Sequence, residues 1–319
     1  MLTRRDYLKT TAMIGAACAL PPGLTRAFES GDLITREIPG TGETLPIVGL
    51  GSAATFRRVA NSEDVSALTE VMRTLVDNGG TVFDTAPGYG ASEEVSGRIA
   101  NDEGFADKLF WATKVNAVPR RSIDPARPAE VHAQLARSFA RAHKDPIDLI
   151  QVHNLKDLPT QMPIIQEFKE EGRIRYIGTT ATNPDRDADL EQAMKDYPID
   201  FIGIDYAVDN RRAADSILPL AQDLGIATLI YVPFGRRSLF ARTAEVDVPE
   251  WAQEIGIESW GQFFIKYVAA HPATTCVTPA TSKAKHMLDN IGAAYGELPD
   301  AGTLRKMEEF IDGLPPAKS

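Results

Sequence analysis

Short apolar runs alternate with amphipathic stretches along most of this chain, and that alternation admits few folds. The runs are Ile47–Gly51, Thr81–Asp84, Leu109–Lys114, Ile147–His153, Ile174–Thr179, Ile199–Tyr206, Ile226–Val232 and Thr274–Thr278. Each reads as a buried strand. The stretches between them carry the helical period. Val65, Leu68, Val71, Met72, Leu75 and Val76 fall on one face, with Ser62 and Glu63 near the start and Asn78-Gly79-Gly80 as the stop. Ile164, Ile165 and Phe168 mark a second helix, ended at Gly172. Ile217, Leu218, Leu220, Ala221 and Leu224 mark a third, ended at Gly225. Eight strands, each followed by a helix, predict an α/β fold of the (β/α)8 TIM-barrel type. Residues 34–46 read as an N-terminal β-hairpin turning at Pro39-Gly40-Thr41-Gly42. No linker divides the chain after residue 28, so residues 28–319 form one domain.

Charge and cysteine content narrow the function. A net charge of -10 argues against a nucleic-acid partner. No apolar run after residue 30 approaches a membrane span. No HExxH, no paired cysteines and no histidine cluster suggests a metal. Cys276 opens an apolar run and reads as a packed thiol. Gly49-Leu50-Gly51-Ser52-Ala53-Ala54 matches the loose dinucleotide fingerprint, but its context is wrong. No helix is expected to open directly after it, and Glu70 lies inside a helix rather than at a second strand's end. The glycines are read as places of close backbone approach.

The chemistry gathers at strand ends. Phe83-Asp84 closes one strand and breaks into Thr85-Ala86-Pro87-Gly88-Tyr89-Gly90, which puts Tyr89 on the following turn. Lys114 ends the next strand and His153 the one after. In a parallel barrel those ends face one mouth. A phenol is a poor acid near neutrality, with a reference pKa of about 10. An adjacent ammonium is expected to lower it, a carboxylate holds the ammonium in place, and an imidazole orients a carbonyl oxygen. Two extra-long segments, 115–128 and 233–257, follow strand ends and are expected to rim the same mouth.

These residues resemble the aldo-keto reductases over nearly all of 34–292. The resemblance is carried by Asp84-Thr85-Ala86-x-x-Tyr89-Gly90, by Ala112-Thr113-Lys114, by Asp148-Leu149-Ile150-Gln151-Val152-His153 and by Glu171-Gly172-Arg173-Ile174-Arg175-Tyr176-Ile177-Gly178. It implies an oxidoreductase that moves a hydride between a nicotinamide cofactor and a small-molecule carbonyl or alcohol. Tyr89 is then the proton donor, Asp84 and Lys114 tune it, and His153 positions the carbonyl. The candidate cofactor residues are Gly51, Ser52, Thr180, Tyr231, Phe234, Gly235, Arg236, Lys283, His286 and Asn290, with Arg236 placed at the start of the long segment to meet the pyrophosphate and His286 standing where NADP-preferring members carry Lys or Arg. Tyr231 fits the position that stacks on nicotinamide. Thr180-Ala181 stands where the family usually has Ser-Asn, and Gly203 where it usually has glutamine. NADP(H) is the expected cofactor, with NAD(H) as the alternative. A protein of the same fold that binds nucleotide or a partner with little turnover is the competing reading.

The N-terminus is a separate object. Arg4-Arg5-Asp6-Tyr7-Leu8-Lys9, a mildly apolar run to Leu20, and Thr25-Arg26-Ala27 resemble a twin-arginine (Tat) export signal over residues 1–27. That implies the Tat export machinery as a partner and a periplasmic destination. Replacing both arginines (Arg4→Lys with Arg5→Lys) is expected to leave the protein in the cytoplasm with its signal uncleaved, as read by cell fractionation. Unchanged extracytoplasmic recovery would contradict the assignment.

Overall fold

The computed structural model describes residues 32–118 and 124–316. The predicted export signal and positions 119–123 of the first long segment lie outside the described residues. Eight parallel strands form one sheet in chain order: β3 (Leu50–Gly51), β4 (Val82–Asp84), β5 (Phe110–Val115), β6 (Ile147–Val152), β7 (Ile174–Ala181), β8 (Phe201–Asp205), β9 (Ala227–Tyr231) and β10 (Cys276–Val277). Helices follow each strand, as the alternation predicts. The two end strands meet. Val48 bridges Val277 and Gly51 bridges Ala280. The Gly49 amide donates to the Val277 carbonyl at 2.8 Å, and the Val277 amide to the Ile47 carbonyl at 2.8 Å. The sheet is therefore a (β/α)8 barrel.

Closure explains the glycine pair that imitates a dinucleotide fingerprint. A Cβ on Gly49 would stand 2.7 Å from the Val82 carbonyl oxygen, and one on Gly51 2.6 Å from that of Thr278. Only glycine lets these backbones approach. One expectation fails here. A helix, Ala54–Ala60, does open straight after this strand. It buries only Phe56 and Ala60, too brief a pattern to show a period in sequence. The fingerprint is still not a dinucleotide fold, because the sheet is closed and Glu70 lies within the helix Ser66–Asp77.

Side-chain alternation builds the site. Val82, Phe110, Ala112, Leu149, Phe201, Ala227 and Leu229 face inward and form an apolar floor. Phe83, Trp111, Ile150, Ile202 and Ile230 face outward into the larger core with the helices. The inward positions one step nearer the mouth are polar: Asp84, Lys114, Gln151 and Tyr231. The opposite end is plugged by the hairpin, β1 (Thr35–Glu37) against β2 (Thr44–Pro46). Its Ile38 and Leu45 are buried in the inner cluster. Glu43 ties the plug down, accepting from the Tyr176 hydroxyl at 2.7 Å and from Arg175. Leu45→Ala is expected to cost about 2–5 kcal/mol, as a large-to-small change in a closed core. Urea denaturation checks this, and a loss within error of zero would show that the hairpin does not plug the barrel.

Candidate active site

Three strand ends and one turn converge as the sequence predicts. Tyr89 is set by the turn after β4, where its amide donates to the Ala86 carbonyl at 2.9 Å. The next residue, Gly90, has φ 62° and lies against Asn61, whose Oδ1 accepts from the Ala91 amide at 3.0 Å. The end of the Ala54–Ala60 helix thus clamps the loop that carries the phenol. Lys114 projects inward from β5 and spends all three ammonium protons locally. It donates to both Asp84 carboxylate oxygens at 2.8 Å and to the Thr85 carbonyl at 2.8 Å. Lys114 is 1% exposed and Asp84 3%. The ammonium lies 5.2 Å from the centre of the Tyr89 ring. His153 presents its ring edge-on to Tyr89, with centroids 5.9 Å apart and planes at 82°. Past His153 the chain turns through left-handed Asn154 (φ 58°) and Leu155 (φ 56°). Thr180 latches that turn, accepting from the Asn154 amide at 2.8 Å.

Burial dominates the electrostatics. It pulls the Lys114 ammonium down, but Asp84 and Tyr89 outweigh it and leave the group above its ordinary value. Burial pushes the Asp84 carboxyl up, and Lys114 and the Tyr231 hydroxyl oppose that. The expected lowering of Tyr89 is only a component. Burial raises the phenol more than Lys114 lowers it, so the net shift is upward. A raised phenol stays protonated but is a weaker acid, and the Lys114 charge is what opposes that rise. Burial, then the charges of Lys114 and Lys156, push the His153 imidazole down to about 3. It is neutral near pH 7.

A cavity of about 380 Å³ opens over this cluster, lined by Asp84, Tyr89, Lys114 and His153. Of the candidate cofactor residues, Gly51, Thr180, Tyr231, Phe234 and Arg236 also line it. A second cavity of about 500 Å³ is lined by Lys283, His286 and Asn290, at the start of the helix Ala284–Gly292 and along it. Thr55, Phe234, Arg237 and Ala280 line both, so the two run on as one groove. Ser52 and Gly235 line neither cavity. Ser52 is fully buried. Its amide donates to the Asp84 carbonyl at 2.8 Å and its carbonyl accepts from Ser92 at 3.0 Å, so it braces the strand end. Gly235 has φ 54° and packs toward Ser238 and Asp209, so it turns the chain. The long segment after β9 reaches the groove through Arg236 and Arg237, at φ 51° and 81°. Sequence reasoning passed over Thr55, Asn154, Thr182 and Gln151. Strand alternation could have found Gln151, two residues before His153 on the inward face.

Together these features describe a barrel with a cluster of titratable side chains at the mouth of an elongated groove. A model of the aldo/keto reductase family matches residues 47–305, and the chain belongs to that family. It is 30% identical over 215 residues to the aldo-keto reductase YhdN of Bacillus subtilis, covering 65% of this chain and 64% of that one. It is 27% identical over 266 residues to the aldo-keto reductase str7 of Strobilurus tenacellus, covering 72% and 78%. Among solved structures, an aldo/keto reductase from Klebsiella pneumoniae in complex with NADP and acetate superposes with a TM-score of 0.71 at 21% identity. That match covers 88% of this chain and 96% of the other.

The low imidazole value has a thermodynamic consequence. A histidine held at about 3 when folded and near 6.5 when unfolded makes the unfolded state bind more protons between those values. Stability is then unaffected above about pH 6.5 and falls as the pH drops from there toward 3. His153→Gln is expected to flatten that part of the stability–pH curve, measured by urea midpoints across the range. An unchanged acid slope would contradict the half-buried, neutral imidazole.

Proposed function

We propose that this protein is an exported, NADP(H)-preferring aldo-keto reductase that interconverts a small-molecule carbonyl and its alcohol. The observation that carries the reading is the Lys114 ammonium, held by Asp84 and the Thr85 carbonyl at 2.8 Å and 5.2 Å from the centre of the half-buried Tyr89 ring. The groove suits an extended dinucleotide. Arg236 and Arg237 line it midway, and guanidinium suits a phosphate. The helix Ala284–Gly292 offers its N-terminal end to a second anionic group. Tyr231 and Thr180 line the end nearest Tyr89. Relatives in the same fold are described with NADP or NADPH, which supports the same preference here.

When bound, nicotinamide supplies or accepts the hydride. The chain's own residues handle the proton. A neutral His153 beside the Tyr89 ring orients the carbonyl oxygen toward the phenol. Tyr89 passes its proton to that oxygen as the carbon is reduced, and the adjacent Lys114 stabilises the phenolate left behind. Asp84 keeps Lys114 charged and in register. The first 27 residues are read as directing the protein to the periplasm through the Tat machinery.

Tyr89→Phe removes the proton and almost no volume. Carbonyl-dependent NADPH oxidation is expected to fall by about 10²–10⁴-fold, the range of general-acid catalysis, while NADPH binding persists. Near-normal turnover in this variant would remove Tyr89 from the donor role.

A further inference from the structure

Tyr231 places a second phenol against the Asp84–Lys114 pair. The Tyr231 ring lies across Gly203. A Cβ at 203 would stand 2.3 Å from Cε2 and 2.7 Å from the hydroxyl oxygen, so any larger residue there would expel the ring. With the space free, the hydroxyl reaches 3.0 Å from Asp84 Oδ1 and 3.0 Å from Gln151 Oε1. The Lys114 ammonium stands 5.2 Å from the centre of this ring, as it does from that of Tyr89. The hydroxyl has one proton to give. The charged carboxylate is the stronger acceptor.

We propose that Tyr231 is a positioning residue of the proton-transfer cluster: its hydroxyl donates to Asp84 and fixes the carboxylate that holds Lys114 beside Tyr89. Gly203 is the residue that makes room for it. The inference rests on Tyr89 being the proton donor. Asp84 is then gripped from two sides, by Lys114 on both oxygens and by Tyr231 on one. Burial, then the neighbouring Asp84 and Tyr89, keep the Tyr231 phenol well above its ordinary value, so it stays a donor across the working range. Its hydrogen bond favours the ionised form of Asp84. Without it, Asp84 leans more on Lys114, the ammonium has less charge to offer Tyr89, and the Tyr89 phenol releases its proton less readily.

The test uses the full chain, NADPH and 4-nitrobenzaldehyde as carbonyl probe, from about pH 7 to about pH 11.5, a range that reaches past the ordinary phenol value of about 10. Tyr231→Phe keeps the ring and removes only the hydroxyl. Gly203→Ala keeps the hydroxyl and displaces the ring. Both are expected to lower kcat about tenfold, the scale of a lost hydrogen bond to a charged group. In Tyr231→Phe the alkaline limb of kcat should move to higher pH, with NADPH Kd, read by fluorescence titration, within about twofold of wild type. Unchanged kcat and an unmoved limb in Tyr231→Phe overturn the inference and leave the reductase reading standing. So does a variant that raises the NADPH Kd with kcat intact, which makes Tyr231 a cofactor support only. A wild-type protein that oxidises no NADPH with the probe or with a wider carbonyl panel overturns the reading and the inference with it.

Discussion

The Asp84–Lys114 ion pair is the constraint on which the rest of the structure depends. Two unit charges removed from water carry a desolvation cost that survives only if every polar proton finds a partner. Here each ammonium proton has one, at 2.8 Å. Such a pair needs a rigid cage, because loss of one partner strands a buried charge. Adjacent parallel strands provide it. In the β4–β5 ladder Asp84 lies opposite Ala112, and Lys114 sits two residues further along on the same inward face.

Much of the remaining architecture serves that cage. The apolar floor of Val82, Phe110, Leu149 and Phe201 keeps water from below, and the hairpin side chains Ile38 and Leu45 seal the floor. Gly49 lets the chain lie close against Val82 of β4, and Gly51 lets β3 close against the segment after β10. The Ser52 amide then fixes the Asp84 carbonyl at 2.8 Å. Tyr89 stands on a fixed support: its loop is held by Asn61, and its proton is retained by burial against the pull of Lys114. The same burial that keeps the phenol protonated holds His153 neutral, so a protonated phenol and a neutral imidazole share one wall of the groove.

The barrel was legible because each strand is a short apolar run and each helix carries its own period. Asp84, Lys114 and His153 were legible because parallel strands deliver their ends to one mouth. The short strands β3 and β10 were read too long, since closure there rests on isolated bridges rather than a continuous ladder. Ser52 is fully buried and lines neither cavity, a matter of side-chain direction that a loop motif does not encode. The direction of the Tyr89 shift was missed because sequence shows a cationic neighbour but not burial depth. The contact from Tyr231 to Asp84 spans 147 positions and depends on an absent side chain at Gly203, so no local pattern announces it.

The central claim is that this cluster carries carbonyl reduction, with hydride from nicotinamide and a proton handled by Tyr89 under the control of Lys114. NADPH deuterated at the transferring position of nicotinamide C4, incubated with a carbonyl that the protein reduces, tests it most directly. The expected product is an alcohol bearing deuterium on the former carbonyl carbon. Its formation should be abolished in Lys114→Met protein that remains folded and still binds NADPH. Alcohol without cofactor-derived deuterium, or full-rate labelling without the Lys114 ammonium, would contradict the claim.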